Sequence, residues 1–488
     1  MRAKQKGNNM LRQVIYGPPG TGKSTEIIKR AEFYTEKYDK DKIALCSYTK
    51  AAAQVLAKRC GIKKSKYIGT LHSLAYKVAG IIREQVVDNT KLRAFFNEIG
   101  IPFSGNSVNE DKVLFDGDYY LAMHYKAVAQ CKDNIDKLNM PGSFAEYQYF
   151  TEAYSIWKNA NGYVDYNDML QLAIQQEPLD VDVIFIDEAQ DLSKLQWNLI
   201  EHWASRIPNI IIAGDDDQAI YEWAGACPQG MSNFEKTYKA DRVVLNQSYR
   251  IPNKVHKIAE DITKNIKNRV DKVYMPRDYD GIVHHYIDFD QITEIKHNDD
   301  ILILYRNHSM LKHIEDYLVK NHLPYVTDNG PKGLCQGFLW KLIKAYKKLQ
   351  QSKNYTLTKT QHKLLARGLQ ERYRNMLGTD DEYKIFQEPW QNTININIED
   401  QIYFEALEKH NCMFEIEPTI HLSSIHGAKG REAERVILLN SLGEMTADAY
   451  YQNENHEMEQ EARVFYVAVT RAKKRLDIVL GDNAVSFL

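Results

Sequence analysis

The sequence predicts an α/β protein of two domains with parallel sheets, each interrupted by a mainly helical inserted subdomain. Eight short apolar runs rich in β-branched residues recur between helical stretches, and such runs are typical of buried parallel strands. The runs fall into two sets, with four before residue 215 and four after residue 242. Two long stretches, about 80–164 and 329–415, contain no run of this kind, so we expect each to be a helical insert.

The predicted strands set the domain boundaries. The first set is 14–16, 43–47, 181–186 and 210–213, and the second is 243–245, 301–305, 436–439 and 476–480. A cluster of Asn, Gly and Pro at 329–333 indicates the exit from the second domain into its insert. We therefore assign residues 1–80 and 165–238 to the first domain and 81–164 to its insert. Residues 239–328 and 416–488 form the predicted second domain, and 329–415 form its reduced insert.

The composition is that of a folded globular protein. Of 488 residues, 44% are hydrophobic and 26% are charged, which excludes a mostly disordered chain. No apolar run reaches the ~18 residues of a membrane helix, so we expect no membrane span. The six cysteines are scattered without a CxxC pair, which argues against a zinc site or a disulfide scaffold and favours a reducing cytoplasm. Because the net charge is −2, any nucleic-acid site must be a local surface.

The first domain contains a complete phosphate-binding sequence. Residues 17–24 match GxxxxGK[ST] between a predicted strand and a helical run. The glycines let backbone N–H groups curl around a phosphate, and the N-terminus of the helix adds positive potential. Lys23 is expected to reach the β- and γ-phosphates, and the Ser24 hydroxyl is expected to bind Mg²⁺. The predicted nucleotide-binding residues of this loop are Gly17, Pro18, Pro19, Gly20, Thr21, Gly22, Lys23, Ser24 and Thr25.

A second predicted strand delivers two acids to the same region. Asp187 and Glu188 follow the apolar run that ends at Ile186. Asp187 can hold the magnesium ion, and Glu188 is placed to activate the attacking water. With the phosphate loop, this pair predicts hydrolysis of ATP with Mg²⁺ as cofactor. A small-molecule kinase would use the same loop, so these two motifs leave the substrate open.

Further motifs follow in a fixed order. They are 47–52 (SYTKAA), 69–73 (GTLHS), 187–191 (DEAQD), 214–226 (GDDDQAIYEWAGA), 245–250 (LNQSYR), 425–432 (IHGAKGRE) and 466–473 (YVAVTRAK). With the phosphate loop, these eight motifs resemble the series of superfamily 1 DNA helicases of the UvrD/Rep/PcrA type. The resemblance covers about 11–480 apart from the two inserts, and it implies two RecA-like P-loop domains.

The resemblance implies catalytic roles for three residues outside the loop. Gln218 is similar to the glutamine that senses the γ-phosphate. Arg250 and Arg471 are similar to arginines that fork onto phosphate oxygens. We place both arginines in the second domain, so that each would complete the ATP site only when the domains close. Such an arginine finger contributes ~10³–10⁵ to the rate.

Adenine recognition is less complete. By resemblance, Tyr249 stacks on the adenine, Glu432 contacts the ribose and Gly430 permits a close backbone approach to the nucleotide. The family also carries a glutamine before the phosphate loop that reads adenine. Gln5 and Gln13 are the available positions, and Gln13 is expected to lie on the first strand. We therefore expect weaker discrimination between ATP and GTP.

The resemblance also implies a surface for single-stranded DNA. Aromatic side chains suit this role because stacking on bases tolerates any sequence. The matching positions are Tyr48, Thr70, His72, Tyr221, Trp223 and His426.

Together these features predict an ATP-dependent DNA helicase and single-stranded DNA translocase of 3′→5′ polarity. The predicted partners are single-stranded DNA and junctions of single- and double-stranded DNA. The chain is expected to act as a monomer in a bacterial or viral cytoplasm. One alternative is an ATP-switched binding or remodelling factor that does not separate strands, and RNA stays open as the track. Residues 341–374, with ten Lys or Arg and one acid, are either a solvated helical face or a phosphate-contacting surface.

Overall fold

The computed structural model describes residues 10–62, 65–105, 115–132, 143–292, 295–296, 299–327, 337–352, 356–409, 418–452 and 456–488. The chain divides into two compact units. Unit 1 comprises residues 1–279 and 453–467, and unit 2 comprises residues 280–452 and 468–488.

The strands of the described residues are buried apolar segments in most cases. They are β1 (Leu11–Tyr16), β2 (Ile43–Cys46), β3 (Ile68–Gly69), β4 (Val183–Ile186), β5 (Asn209–Gly214), β6 (Asp241–Val244), β7 (Ile282–Tyr286), β8 (Ile301–Tyr305), β9 (Tyr325–Thr327), β10 (Ile420–Ser424), β11 (Ala433–Asn440) and β12 (Ala472–Leu480).

The helices of the described residues connect these strands and build the inserts. They are α1 (Lys23–Lys37), α2 (Lys50–Arg59), α3 (Leu71–Val78), α4 (Asn89–Ile99), α5 (Asp116–Ala129), α6 (Phe144–Asn161), α7 (Tyr166–Ile174), α8 (Lys194–Ala204), α9 (Gly230–Tyr238), α10 (Asn253–Thr263), α11 (Leu311–Lys320), α12 (Phe338–Gln350), α13 (Lys359–Gly368), α14 (Glu371–Arg374), α15 (Glu382–Ile385), α16 (Trp390–Thr393), α17 (Ile398–Lys409), α18 (Glu444–Gln452) and α19 (His456–Val469).

Unit 1 contains a parallel sheet in the order β3-β2-β4-β5-β1-β6. In register, Val14 of β1 lies opposite Ile212 of β5, and Ile184 of β4 lies opposite Ile210. Helices pack on both faces of the sheet, so its central strands are apolar on both sides. Because the strands are parallel, the loops that follow them converge at one edge, where ligands bind in open α/β sheets.

The helical insert of unit 1 has its own aromatic core. Phe95 and Phe96 of α4 pack against Phe150 and Tyr154 of α6, and the ring of Phe96 stacks on that of Phe150 at 5.5 Å. The insert rejoins the sheet through Asp165, whose side chain caps α7 by accepting hydrogen bonds from two backbone N–H groups.

Unit 2 repeats the parallel arrangement in the order β7-β12-β11-β8-β10-β9. Its insert, between β9 and β10, has a separate core in which Trp340, Tyr346, Trp390 and Phe404 are buried. The exposed residues Lys341, Lys344 and Lys348 follow one another at helical spacing on α12. Lys359 and Lys363 do the same on α13. We call these five residues the lysine stripes.

The predicted α/β class with two parallel sheets is confirmed, and all eight predicted strands are present. The domain boundary differs from the prediction at residue 239. The strand expected to open the second domain is β6, and it pairs with β1 in the first sheet. The chain therefore stays in unit 1 as far as residue 279. The breaker cluster at 329–333 lies outside the described residues.

Within the described residues, no helix combines the length and the apolar character that crossing a membrane requires.

Candidate functional site

The phosphate loop lies between β1 and α1. Gly20 and Gly22 have φ angles of 73° and 84°, a left-handed backbone that glycine adopts without strain. The N-cap of α1 is Gly22, which has no side chain to accept from the first N–H groups of the helix. Lys23 Nζ donates a hydrogen bond to Gly17 O at 2.8 Å, and Thr21 Oγ1 donates to Pro18 O at 2.7 Å. The loop is therefore shaped to hold an anion, with the lysine folded over it.

The segment 248–250 packs directly on this loop. Ser248 Oγ donates to Pro19 O at 2.8 Å, and Tyr249 N donates to Gly20 O at 2.9 Å. A Cβ atom on Gly20 would overlap Cβ of Arg250. The ring of Tyr249 is 73% exposed beside the loop, where an adenine could stack on it. The sequence prediction placed Arg250 in the second domain, whereas the structure places it in unit 1 because the chain stays with the first sheet after β6.

Two side-chain oxygens of types that bind cations meet at the end of β4. Ser24 Oγ donates a hydrogen bond to Asp187 Oδ2 at 3.1 Å. Burial, followed by repulsion from the Glu188 carboxylate, raises the pKa of Asp187 to about 7, and Lys23 opposes this shift. A bound divalent cation would relieve the cost of this buried charge. A hydroxyl and a carboxylate next to a phosphate loop form a donor set that suits Mg²⁺.

Glu188 is held in an unusual backbone conformation. Its φ angle is 55°, and its N–H donates to Asp187 Oδ1 at 3.0 Å. Gln190 Nε2 donates to Glu188 Oε2 at 2.7 Å and to Asp191 Oδ2 at 3.3 Å. A non-glycine residue at positive φ costs ~1–3 kcal/mol and persists only where its surroundings fix it. The amide of Gln190 contributes to fixing it here.

Gln218 ends a short 3₁₀ turn, Asp216–Gln218, that follows β5. Its Nε2 donates to Asp215 Oδ2 at 2.6 Å, and its side chain is buried. The backbone N–H of Asp215 donates to Gln190 Oε1 at 3.0 Å. The loops after β4 and β5 are thus joined by side-chain hydrogen bonds.

An aromatic pocket of about 470 Å³ lies in unit 1 at the ends of β2 and β3. The rings of Tyr48 and Tyr221 line it and stack on each other, with centroids 5.2 Å apart and planes within 10°. Thr70 also lines the pocket, but its hydroxyl accepts a hydrogen bond from Ser73 N and so caps α3. Trp223 lies beyond Tyr221, at 6.5 Å between ring centroids, and is not part of the pocket wall.

His72 lines the same pocket as a neutral ring at physiological pH. Burial lowers the pKa of His72 to about 4, with Asp165 opposing the shift. The ring meets that of Tyr166 edge to face at 5.8 Å. A neutral imidazole can exchange hydrogen bonds with a base or sugar but adds no positive charge for a phosphate.

The predicted site residues of unit 2 lie after β10 and directly before β11 and β12. Gly430 has a φ angle of 86°, and the Glu432 carboxylate lies 3.4 Å from Lys473 Nζ. Arg471 is buried, and its guanidinium donates to Arg431 O at 3.4 Å and to Thr470 Oγ1 at 3.2 Å. His426 follows β10 and accepts a hydrogen bond at its carbonyl from Lys429 N. His426 belongs to unit 2.

Comparison with models of known protein families shows which family the chain belongs to. The model of the UvrD/REP helicase N-terminal domain matches residues 4–239, and that of the UvrD-like helicase C-terminal domain matches residues 328–482. The chain belongs to the UvrD/Rep helicase family. The resemblance drawn from the eight motifs is thereby confirmed.

Named relatives within the UvrD/Rep family match parts of the chain. ATP-dependent DNA helicase PcrA of Staphylococcus aureus is 32% identical over 167 residues, which cover 30% of this chain and 23% of that protein. DNA helicase II of Haemophilus influenzae is 23% identical over 365 residues, covering 64% and 48%. PcrA of Leuconostoc citreum is 25% identical over 335 residues, covering 60% and 44%. The matched part of the chain thus spans less than half the length of each relative.

The adenine-reading glutamine of the UvrD/Rep family has no clear counterpart in the described residues. Gln13 lies within β1, as expected, and its side-chain oxygen accepts a hydrogen bond from Arg30. Gln5 lies outside the described residues. Weak discrimination between ATP and GTP stays a prediction.

The motif series of the UvrD/Rep type did not lead us to several residues of the pocket. Tyr125, Tyr166 and Asn167 also line it, and Tyr166 is 58% exposed. The sequence does contain a signal for Tyr166, because a large aromatic residue directly after the capping Asp165 lies at the exposed first turn of a helix. Tyr125 and Asn167 reach the pocket through tertiary packing, which no local pattern indicates.

Proposed function

We propose that this protein is an ATP-dependent DNA helicase that couples ATP hydrolysis to movement along single-stranded DNA and to unwinding. The observation that carries this proposal is that the phosphate site and the aromatic pocket share the loops after β4 and β5. Glu188 lies at the phosphate site and Asp191 in the wall of the pocket, three residues apart. Gln218 and Tyr221 are likewise three residues apart on the second loop.

For the nucleotide, we propose that Lys23 contacts the β- and γ-phosphates and that Ser24 and Asp187 hold Mg²⁺. Bound Mg²⁺ would neutralise charge on the phosphate oxygens. Glu188 accepts a proton from the attacking water, and Gln218 responds to the γ-phosphate. The hydrogen bonds that orient these last two side chains support their roles.

For the track, we propose that bases stack in the aromatic pocket. The parallel rings of Tyr48 and Tyr221 are separated by 5.2 Å, so a base could replace one ring of the pair or add to it. Each stacked base contributes ~1–3 kcal/mol whatever its identity. A motor that passes over any sequence requires that tolerance. DNA is favoured as the track because the named relatives are DNA helicases.

Coupling would pass through Gln190. Its amide nitrogen donates to Glu188 and to Asp191, and its amide oxygen accepts from Asp215 N. A shift of the γ-phosphate that moves Glu188 or Gln218 would therefore also displace residues in the wall of the pocket. A strand bound in the pocket would in turn align the residues that act on ATP.

We further propose 3′→5′ polarity, action at junctions of single- and double-stranded DNA, and a monomeric state in the cytoplasm. These features are implied by the motif resemblance. Unwinding assays on 3′-tailed and 5′-tailed duplexes measure polarity directly, and exclusive use of the 5′ tail contradicts our assignment.

The test of the proposed function is the rate of ATP hydrolysis with and without unstructured single-stranded DNA, using Lys23→Ala as control. We expect strong stimulation by DNA and no hydrolysis by the variant. Hydrolysis that is indifferent to DNA would refute the motor, and comparison with single-stranded RNA would then identify another track.

A second candidate function is an ATP-switched factor that grips or remodels nucleic acid without separating strands. The lysine stripes motivate it, since exposed cations at helical spacing suit a duplex backbone even where no unwinding occurs. Strand separation in the tailed-duplex assay contradicts this candidate. ATP-dependent binding without strand separation supports it.

A further inference from the structure

The turn that carries Gln218 contains a dense group of buried acids. Asp215, Asp216 and Asp217 are consecutive, and their exposed fractions are 0%, 3% and 0%. Buried carboxylates are costly unless they are paired and hydrogen-bonded. The family roles described above give no function to these three residues, so their partners point to a further role.

Two cations from one segment pair with the acids. Lys272 Nζ lies 3.2 Å from Asp215 Oδ1 and 2.9 Å from Asp217 Oδ2, and it also hydrogen-bonds to Asp216. The guanidinium of Arg269 donates two hydrogen bonds to the carboxylate of Asp217, from Nε to Oδ1 at 2.8 Å and from Nη2 to Oδ2 at 2.6 Å. Burial alone lowers the pKa of Lys272, but the three carboxylates outweigh it and hold that pKa above its usual value. Lys272 is therefore a permanent cation at the centre of the group.

Backbone contacts fix the same turn from two directions. Val270 N donates to Asp216 Oδ2 at 2.6 Å. Arg463 of α19 donates from Nε to Asp216 O at 3.2 Å and from Nη2 to Asn268 O at 2.9 Å. The turn is thus attached both to the segment after α10 and to the helix that precedes Arg471.

Asp215 connects this group to both side chains proposed to act on ATP. Its carboxylate accepts from Gln218 Nε2 at 2.6 Å through Oδ2, while Oδ1 faces Lys272. Its N–H donates to Gln190, which in turn donates to Glu188. A displacement of Asp215 would misalign Gln218 directly and Glu188 through Gln190.

We infer that Lys272, assisted by Arg269, is a positioning residue that holds Asp215 and thereby aligns Gln218 and Glu188 for ATP hydrolysis. The inference rests on the proposed function. Lys272 does not touch the nucleotide-binding loop through any of these contacts, so it acts through Asp215. A misplacement of about 1 Å at reacting groups can cost ~10²-fold in rate, which sets the scale of the expected effect.

The experiment separates positioning from charge balance. Lys272→Met removes the cation, and the double variant Lys272→Met/Asp216→Asn restores the net charge of the group without restoring the contact to Asp215. Arg435→Met is the matched control, because Arg435 forms a similarly buried ion pair with Asp477 at 2.6 Å in unit 2. Melting temperature, KM for ATP and kcat with saturating single-stranded DNA are measured for each, well below the lowest melting temperature.

We expect Lys272→Met to lower the melting temperature and to reduce kcat by about 10²-fold, with KM for ATP changed by less than about threefold. The double variant should regain melting temperature while kcat stays low. If Lys272→Met does not fold, the charge-balanced double variant carries the test alone. Arg435→Met should lose stability and keep its kcat.

Three results overturn the inference. Recovery of kcat in the double variant would show that Lys272 only balances charge. An unchanged kcat in Lys272→Met, or an equal loss in Arg435→Met, would remove any specific link to Gln218 and Glu188. A wild-type protein that hydrolyses no ATP would instead refute the proposed function itself, and with it this role of Lys272.

Discussion

Replacing Tyr166 with Ala tests the aromatic pocket at a residue that the motif series does not include. Tyr166 begins α7, is 58% exposed and meets His72 edge to face at 5.8 Å at the wall of the pocket. If one base stacks on this ring, its loss costs ~1–3 kcal/mol of binding, which is about 5- to 150-fold in Kd. Because the side chain is largely exposed, the free energy of unfolding should change by less than ~0.5 kcal/mol.

The assay is fluorescence polarisation of a short labelled oligothymidine at several salt concentrations. The matched control is Tyr149→Ala, since Tyr149 is 54% exposed on α6 and is not part of the pocket wall. The control should bind within about twofold of wild type, because it loses no stacked base. The slope of log Kd against log salt should be the same for all three proteins, because a ring that stacks on a base releases no phosphate counterions.

Two results would refute this reasoning. Binding by Tyr166→Ala equal to that of wild type would place the bases elsewhere. An equal loss in Tyr149→Ala would show that the pocket has no special part in binding. A change in the salt slope would instead indicate that Tyr166 supports a phosphate contact.

Three further predictions concern Glu188, the lysine stripes and the dependence of stability on pH. Glu188→Gln should keep its ATP affinity within about threefold and lose ~10²–10⁴ in kcat, as equilibrium binding and turnover assays will show; lost binding would remove Glu188 from the role of base. Charge reversal of the three lysines on α12 should weaken duplex unwinding and flatten its salt dependence. ATP hydrolysis driven by single-stranded DNA should stay intact. Unwinding with an unchanged rate and salt dependence would remove the stripes from the mechanism. Folding lowers the pKa of His72 from 6.5 to about 4, so the folded state disfavours its cation. Stability should therefore be complete above about pH 6.5 and fall as the pH drops towards 4, by about 2 kcal/mol at pH 5. Urea unfolding at pH 7 and pH 5 measures this loss, and His72→Gln should reduce it; an equal loss in the variant would assign the effect to other groups.

The parts of the fold that the sequence predicts are those in which local pattern and burial agree. The phosphate loop follows β1, Asp187 follows β4, and the loop with Gln218 follows β5, so each begins where a buried strand gives way to glycine or aspartate. Such segments contain their own structural signal because parallel strands are buried on both faces. β3 and β9, with two and three residues, are too short to give that signal. β7 contains two histidines, and three of its five residues are exposed, so it does not form a buried apolar run.

The remaining features depend on partners that lie far away in the chain. β6 was expected to open the second domain, but pairing with β1 decides its sheet, and pairing cannot be derived from the strand alone. Lys272 looks like an ordinary charged residue until the turn at 215–217 packs against it. In both cases the controlling contact joins residues more than fifty positions apart, and only tertiary structure supplies it.

The order of strands in the first sheet explains why the two sites can be coupled at all. The loops after β2 and β3 build the aromatic pocket, and the loop after β1 builds the phosphate site. In the order β3-β2-β4-β5-β1-β6, β4 and β5 lie between these two groups. Their loops must therefore border both sites, and each supplies one residue to either side: Glu188 and Asp191 after β4, Gln218 and Tyr221 after β5. If β1 lay next to β2, the phosphate site and the pocket would be direct neighbours, and no loops would lie between them to border both. The proposed coupling thus follows from sheet order, and Gln190 and Asp215 are the hydrogen-bonding residues through which it would act.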